Sequence, residues 1–130
     1  VSDLMILAHG GAWETRFQVT SLAASAAAAG EEVEVALFFA ALDSWAGGRW
    51  DALDPGPPVS AERLEALGLP PLSTLLAPGR DAGSIRIYAC SASSRILGLD
   101  MARVQQAVDA VLGWQTLSRM TATAGRVVSF

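Results

Sequence analysis

Apolar positions along the chain fall into two patterns. The first is the short, nearly unbroken run: "LMILA" at 4–8, "VEVALFF" at 33–39, "IRIYA" at 85–89 and "RVVSF" at 126–130. Runs of this length without in–out alternation predict strands buried on both faces, as in parallel sheets. The second pattern returns every three or four residues. In "WETRFQVTSLAASAAAAG", Val19, Leu22, Ala23 and Ala26 share one helical face. Glu14 lies in the first turn, where the helix dipole favours an acid, and Gly30 supplies a stop. Strand, helix and strand within roughly forty residues predict a right-handed βαβ unit.

The middle of the chain loses both patterns. "DSWAGGRWDALDPGPPVS", 43–60, is rich in Gly, Pro, Asp and Trp and reads as a long loop. Ser60 suits the cap of a short helix over 61–67, ended by Gly68. Pro70 and Pro71 start another helix, running to about Ala77, and "PGRDAGS" reads as a turn. After Cys90, "SASSRILG" predicts a short helix, and Asp100 caps a further one over 101–107. "VDAVLG", 108–113, fits a helix by period and a strand by its β-branched content. "WQTLSRMTATAG" is helical, and the last strand follows. The alternation predicts one α/β domain over 1–130, a three-layer α/β/α sandwich around a largely parallel sheet of about five strands.

Composition narrows the classes of function. At 130 residues the chain has room for a core without staples. Apolar residues reach 52% and mean hydropathy is +0.36, but alanine supplies much of this. The longest apolar run, "VALFFAAL" at 35–42, is far short of the about 20 residues a membrane span needs, so no membrane segment is expected. "VSDLMILAHG" lacks a basic leader, and a lone cysteine makes no internal disulfide, so a cytoplasmic setting is expected. Net charge is −4, and the nine basic residues, all arginine, form no stripe, which disfavours nucleic acid. One Cys and one His build no structural zinc site, and nucleotide fingerprints are absent, so neither metal nor cofactor is expected. Asp43, Asp51 and Asp54 read as solvated loop acids, and Trp45 and Trp50 as a lid or a subunit contact.

Cys90 is the candidate for chemistry. It closes a strand and precedes a helix, and in open parallel sheets ligands bind beyond the carboxyl ends of the strands. A helix N-terminus offers free N–H groups and partial positive charge, both of which favour the nucleophilic thiolate. Ser91, Ser93 and Ser94 could add hydrogen bonds at the rim. The plainer alternative is an inert core cysteine, since free cysteines are among the most buried residues. His9, the only histidine, closes the first strand and could serve as a base if the two strands are neighbours. Gly10 and Gly11 in "HGGAWE" form either an anion cradle or a tight turn.

Taken together, "LMILAHGG…SLAASAAAAGEEVEVALFFAAL", "IRIYACSASSRILGL" and "VDAVLGWQTLSRMTATAGRVVSF" resemble the DsrE/DsrF-like family of small sulfur-relay proteins. That resemblance implies a strand at 108–113 and a carrier role for Cys90, which would accept sulfane sulfur as a persulfide and pass it on. It further implies a homotrimer or homohexamer and protein partners that donate and accept the sulfur. Two other roles fit the same residues: a non-catalytic module that binds a ligand or a protein at the strand edge, and a thiol redox role needing a second thiol from elsewhere.

Overall fold

Five strands form one sheet in which every neighbouring pair is parallel, in the order β4-β3-β2-β1-β5. They are β1 (Leu4–Ala8), β2 (Val33–Leu37), β3 (Ile85–Cys90), β4 (Ala110–Leu112) and β5 (Arg126–Ser129) in the computed structural model, which describes residues 1–130. Seven helices connect them: α1 (Trp13–Ala28), α2 (Phe39–Ala46), α3 (Ala61–Ala66), α4 (Leu72–Asp81), α5 (Ser91–Ile96), α6 (Met101–Ala107) and α7 (Trp114–Thr123). The α/β/α layering expected from the alternating pattern is the architecture observed. No helix is long and apolar enough to cross a membrane.

The strand order dictates which face each helix covers. From β1 through β4 the chain steps one way across the sheet, so crossovers of constant hand place their helices on one side. The return from β4 to β5 runs the other way and puts α7 alone on the opposite side. The buried clusters follow this split. On the first face, Leu4, Ile6, Val33, Val35, Ile85 and Ile87 pack under α1, α2, α4 and α6. On the second, Met5, Ala36, Phe38 and Cys90 pack with Leu117 of α7.

Two elements differ from the sequence expectation. The second strand stops at Leu37, and the loop expected at 43–60 loses its first residues to α2. A run as apolar as "VALFFAAL" carries no period to separate strand from helix. The bend is made at Phe39, whose φ of 42° lies in the left-handed region. Ala41, Leu42 and Ala46 then bury one helical face. The turn expected over 78–84 is instead the last turn of α4, which runs through Pro78 and Gly79. Gly79 is needed there for packing: a Cβ would fall 2.4 Å from Ile85 Cδ1. "VDAVLG" does contain a strand, β4.

Candidate functional site

All parallel strands present their carboxyl ends to one edge, and the chemistry-bearing residues gather there. β3 leads into α5 on one face while its neighbour β4 leads into α7 on the other. Such switch points are where open parallel sheets bind ligands. Cys90 lies on the β3 side and Gly113 and Trp114 on the β4 side. Ser91 Oγ lies 3.8 Å from the place a Gly113 side chain would start.

Cys90 is both the last residue of β3 and the N-cap of α5. Its Sγ accepts the Ser93 N–H at 3.5 Å, the bond a serine or aspartate cap would normally accept. The sulfur is not open to solvent: Cys90 is 1% exposed, packed among Met5, Ala36, Phe38 and Leu117. The serines divide. Ser94 Oγ donates to the Cys90 carbonyl at 2.9 Å. Ser93 Oγ is buried without a partner, and Ser91 is half-buried beside Gly113.

The structure does not bring His9 and Cys90 together. β2 lies between β1 and β3, which sets the two strands about 10 Å apart. Phe38, one residue beyond the registered pair Ala8–Leu37, occupies that gap. His9 is exposed while Cys90 is sealed, so the expected histidine–thiol pair is absent. The Gly10–Gly11 turn is a packing device. A Cβ on Gly11 would lie 2.7 Å from Ala40 Cβ, and the His9 and Gly10 N–H groups donate to the Phe130 carbonyl.

His9 instead borders an apolar groove of about 530 Å³, lined also by Leu7, Phe38, Phe39, Trp114 and Ser129. The Phe38 ring is shared: it stacks on Trp114 in the groove wall and packs in the buried cluster that holds Cys90.

The loop after α2 is fastened by Arg16 and by Asp51 and Asp54, two acids expected to be merely solvated. The Arg16 guanidinium, 3% exposed, donates to the carbonyls of Gly11, Arg49, Trp50 and Ala52 and to Asp54. Asp54 also accepts the Trp13 N–H at 2.7 Å, capping α1 where Ala12 has no side chain to do so. Asp51 does the same for α4 through Ser73 N–H at 2.7 Å. Trp45 and Trp50, expected as a lid or a subunit contact, pack into the core of their own chain. Trp45 Nε1 donates to the Ala107 carbonyl, and buried Trp50 donates to Thr20 Oγ1. Apart from Arg16 and Gly11, these partners lie 22 to 62 residues apart along the chain, so no local pattern announces them. A charged residue on the buried face of α1 was the one available signal.

The chain is thus a small α/β/α protein with an all-parallel sheet, a capped buried thiol and an aromatic groove at the carboxyl edge. Among solved structures it is similar to the protein of unknown function MTH1491 from Methanobacterium thermoautotrophicum. That likeness has a TM-score of 0.63 at 14% identity and covers 98% of this chain and 97% of the other. At that identity it is a likeness of fold. No protein-family model matches the chain, and no curated protein matches it significantly.

Proposed function

We propose that the protein is a sulfur carrier that holds sulfane sulfur on Cys90, as the resemblance to the DsrE/DsrF-like relay proteins implies. One observation supports this most: Cys90 Sγ occupies the cap of α5 and accepts a backbone N–H there. That arrangement sets a backbone donor on the sulfur at the carboxyl end of a strand, the edge where open parallel sheets bind ligands. In the loading step the Cys90 thiolate attacks the terminal sulfur of a persulfide donor. A new S–S bond forms, the donor's S–S bond breaks, and the donor leaves as a thiolate with the electron pair. Delivery repeats the exchange with an acceptor thiolate, so no outside oxidant or reductant enters.

Burial sets the condition for this chemistry. At 1% exposed, Cys90 is reached only when the side chains packed on it give way, among them Phe38, whose ring stacks on the half-exposed Trp114. The test is incubation with a small persulfide donor followed by intact-mass measurement. A reductant-reversible gain of one sulfur on wild type and none on Cys90→Ser supports the carrier role; no gain on wild type ends it.

The groove that shares Phe38 with the thiol's cluster favours a second reading, a module that binds a ligand at the strand edge. It is apolar, open and at the edge where parallel sheets bind ligands.

A further inference from the structure

Of the three serines that follow Cys90, one has an idle hydroxyl. Ser94 Oγ donates to the Cys90 carbonyl at 2.9 Å, and Ser91 is half-buried beside Gly113. Ser93 is 1% exposed, and its Oγ is buried with no hydrogen-bond partner. The bond that Ser94 makes four residues back along the chain would, for Ser93, run to the Ala89 carbonyl, and it is not made. Buried hydroxyls are nearly always bonded, so an idle one calls for a partner.

The place of Ser93 says what that partner touches. Ser93 is the residue whose N–H donates to Cys90 Sγ, at 3.5 Å. Helical side chains lean toward the N-terminal end of their helix, which for Ser93 is the Cys90 end. In a capping box the side chain at this same third position reaches back to the cap residue. The other side chains packed on the sulfur, Met5, Ala36, Phe38 and Leu117, are apolar.

From this we infer that Ser93 holds the carried sulfur: its hydroxyl donates to the outer sulfur of a Cys90 persulfide while its N–H stays on Sγ. The inference rests on the carrier reading and names the residue that retains the sulfur. An added sulfur lies about 2 Å beyond Sγ and, as an anion, needs a donor that the apolar side chains around it do not supply. Ser93 supplies that donor and keeps its proton throughout, so the exchange steps are unchanged.

The test compares wild type with Ser93→Ala. Both are loaded with a small persulfide donor, and loss of the sulfur to dithiothreitol is followed by intact mass. The unloaded thiols are timed with a disulfide reagent, and both unloaded proteins are melted. Ser93→Ala should shed its sulfur about tenfold faster, the worth of a hydrogen bond to a charged group. Its unloaded thiol should react at the wild-type rate and its Tm should not fall, because the hydroxyl makes no bond in the unloaded protein. Equal rates of sulfur loss overturn the assignment of Ser93 and leave Cys90 as a carrier. Faster reaction of the unloaded thiol as well means that the serine only keeps the fold closed over Cys90, and a lowered Tm means that its hydroxyl is already bonded; either result overturns the assignment. A wild type that takes up no sulfur overturns the carrier reading and the role of Ser93 with it.

Discussion

The indole of Trp114 lies stacked on the ring of Phe38, centroids 5.2 Å apart and planes 25° from parallel. One ring belongs to the first residue of α7 and the other to the residue that leaves β2. Phe38 also packs in the buried cluster that holds Cys90, so the stack joins the groove wall to the surroundings of the thiol. The pair is unequal: Phe38 is 6% exposed and Trp114 is 53% exposed. Trp114 thus bears on the thiol through Phe38, the ring the two sites share.

Trp114→Ala is therefore expected to expose the thiol. An aromatic pair contributes about 1 kcal/mol, which corresponds to about fivefold in the population of the open form. The rate of reaction with a disulfide reagent under native conditions should rise by about that factor. Trp45→Phe, which loses a hydrogen bond remote from the cover, should leave the rate unchanged. Equal rates for wild type and Trp114→Ala would show that the cover lies elsewhere.

Phe39 gives a prediction of opposite sign to ordinary helix propensity. Alanine normally exceeds glycine in a helix by about 1 kcal/mol. At φ 42° an L side chain carries about 1–2 kcal/mol of strain that glycine lacks. Phe39→Gly should thus be at least as stable as Phe39→Ala in urea denaturation. A clear advantage for alanine would mean the left-handed bend is not held in solution.

Arg16 is expected to be the most sensitive polar position. Replacing it with methionine keeps the stem but strips four carbonyls and Asp54 of their donor, with a loss of about 3 kcal/mol. Asp54→Asn removes charge from a partly exposed partner and should cost about 1 kcal/mol. Limited proteolysis of Arg16→Met should cut first within residues 47–60. Protection of that stretch equal to wild type would contradict the assignment of Arg16 as its fastening.

Tyr88, the chain's only tyrosine, makes alkaline stability readable. Burial raises its pKa, with hydrogen bonding and charge from Glu34 adding to the rise and Arg86 opposing it. The native state therefore holds this proton more tightly than the unfolded state. Its contribution is complete below the unfolded value of 10.0 and is lost as pH climbs through the higher folded value. Phenolate absorbance of the native protein should rise at higher pH than that of the protein in urea, and Tyr88→Phe should be less destabilised above pH 10.0. Coincident titrations would contradict this.

Much of the architecture was legible in the sequence because the strands are contiguous apolar runs and Val19, Ala23 and Ala26 recur on the buried face of α1. What was not legible depended on partners distant in sequence. "VALFFAAL" divides into strand and helix only because the chain turns at Phe39. Pro78 and Gly79 look like a turn, yet Gly79 is required for α4 to lie against Ile85. Asp51 and Asp54 look like surface charges until the folded loop places them at helix ends, and Arg16 until the same loop wraps its guanidinium. At the candidate site, the cap position of Cys90 followed from strand and helix boundaries alone. The separation of His9 followed from strand order, which those boundaries do not specify.

The most direct test of the carrier role is intact-mass spectrometry after incubation with a persulfide donor. Wild type, Cys90→Ser and Trp114→Ala would be run together. The account expects a one-sulfur gain on wild type, faster gain on Trp114→Ala, none on Cys90→Ser, and full reversal by reductant. No gain on either cysteine-containing protein would contradict it and leave Cys90 as a core side chain that caps a helix.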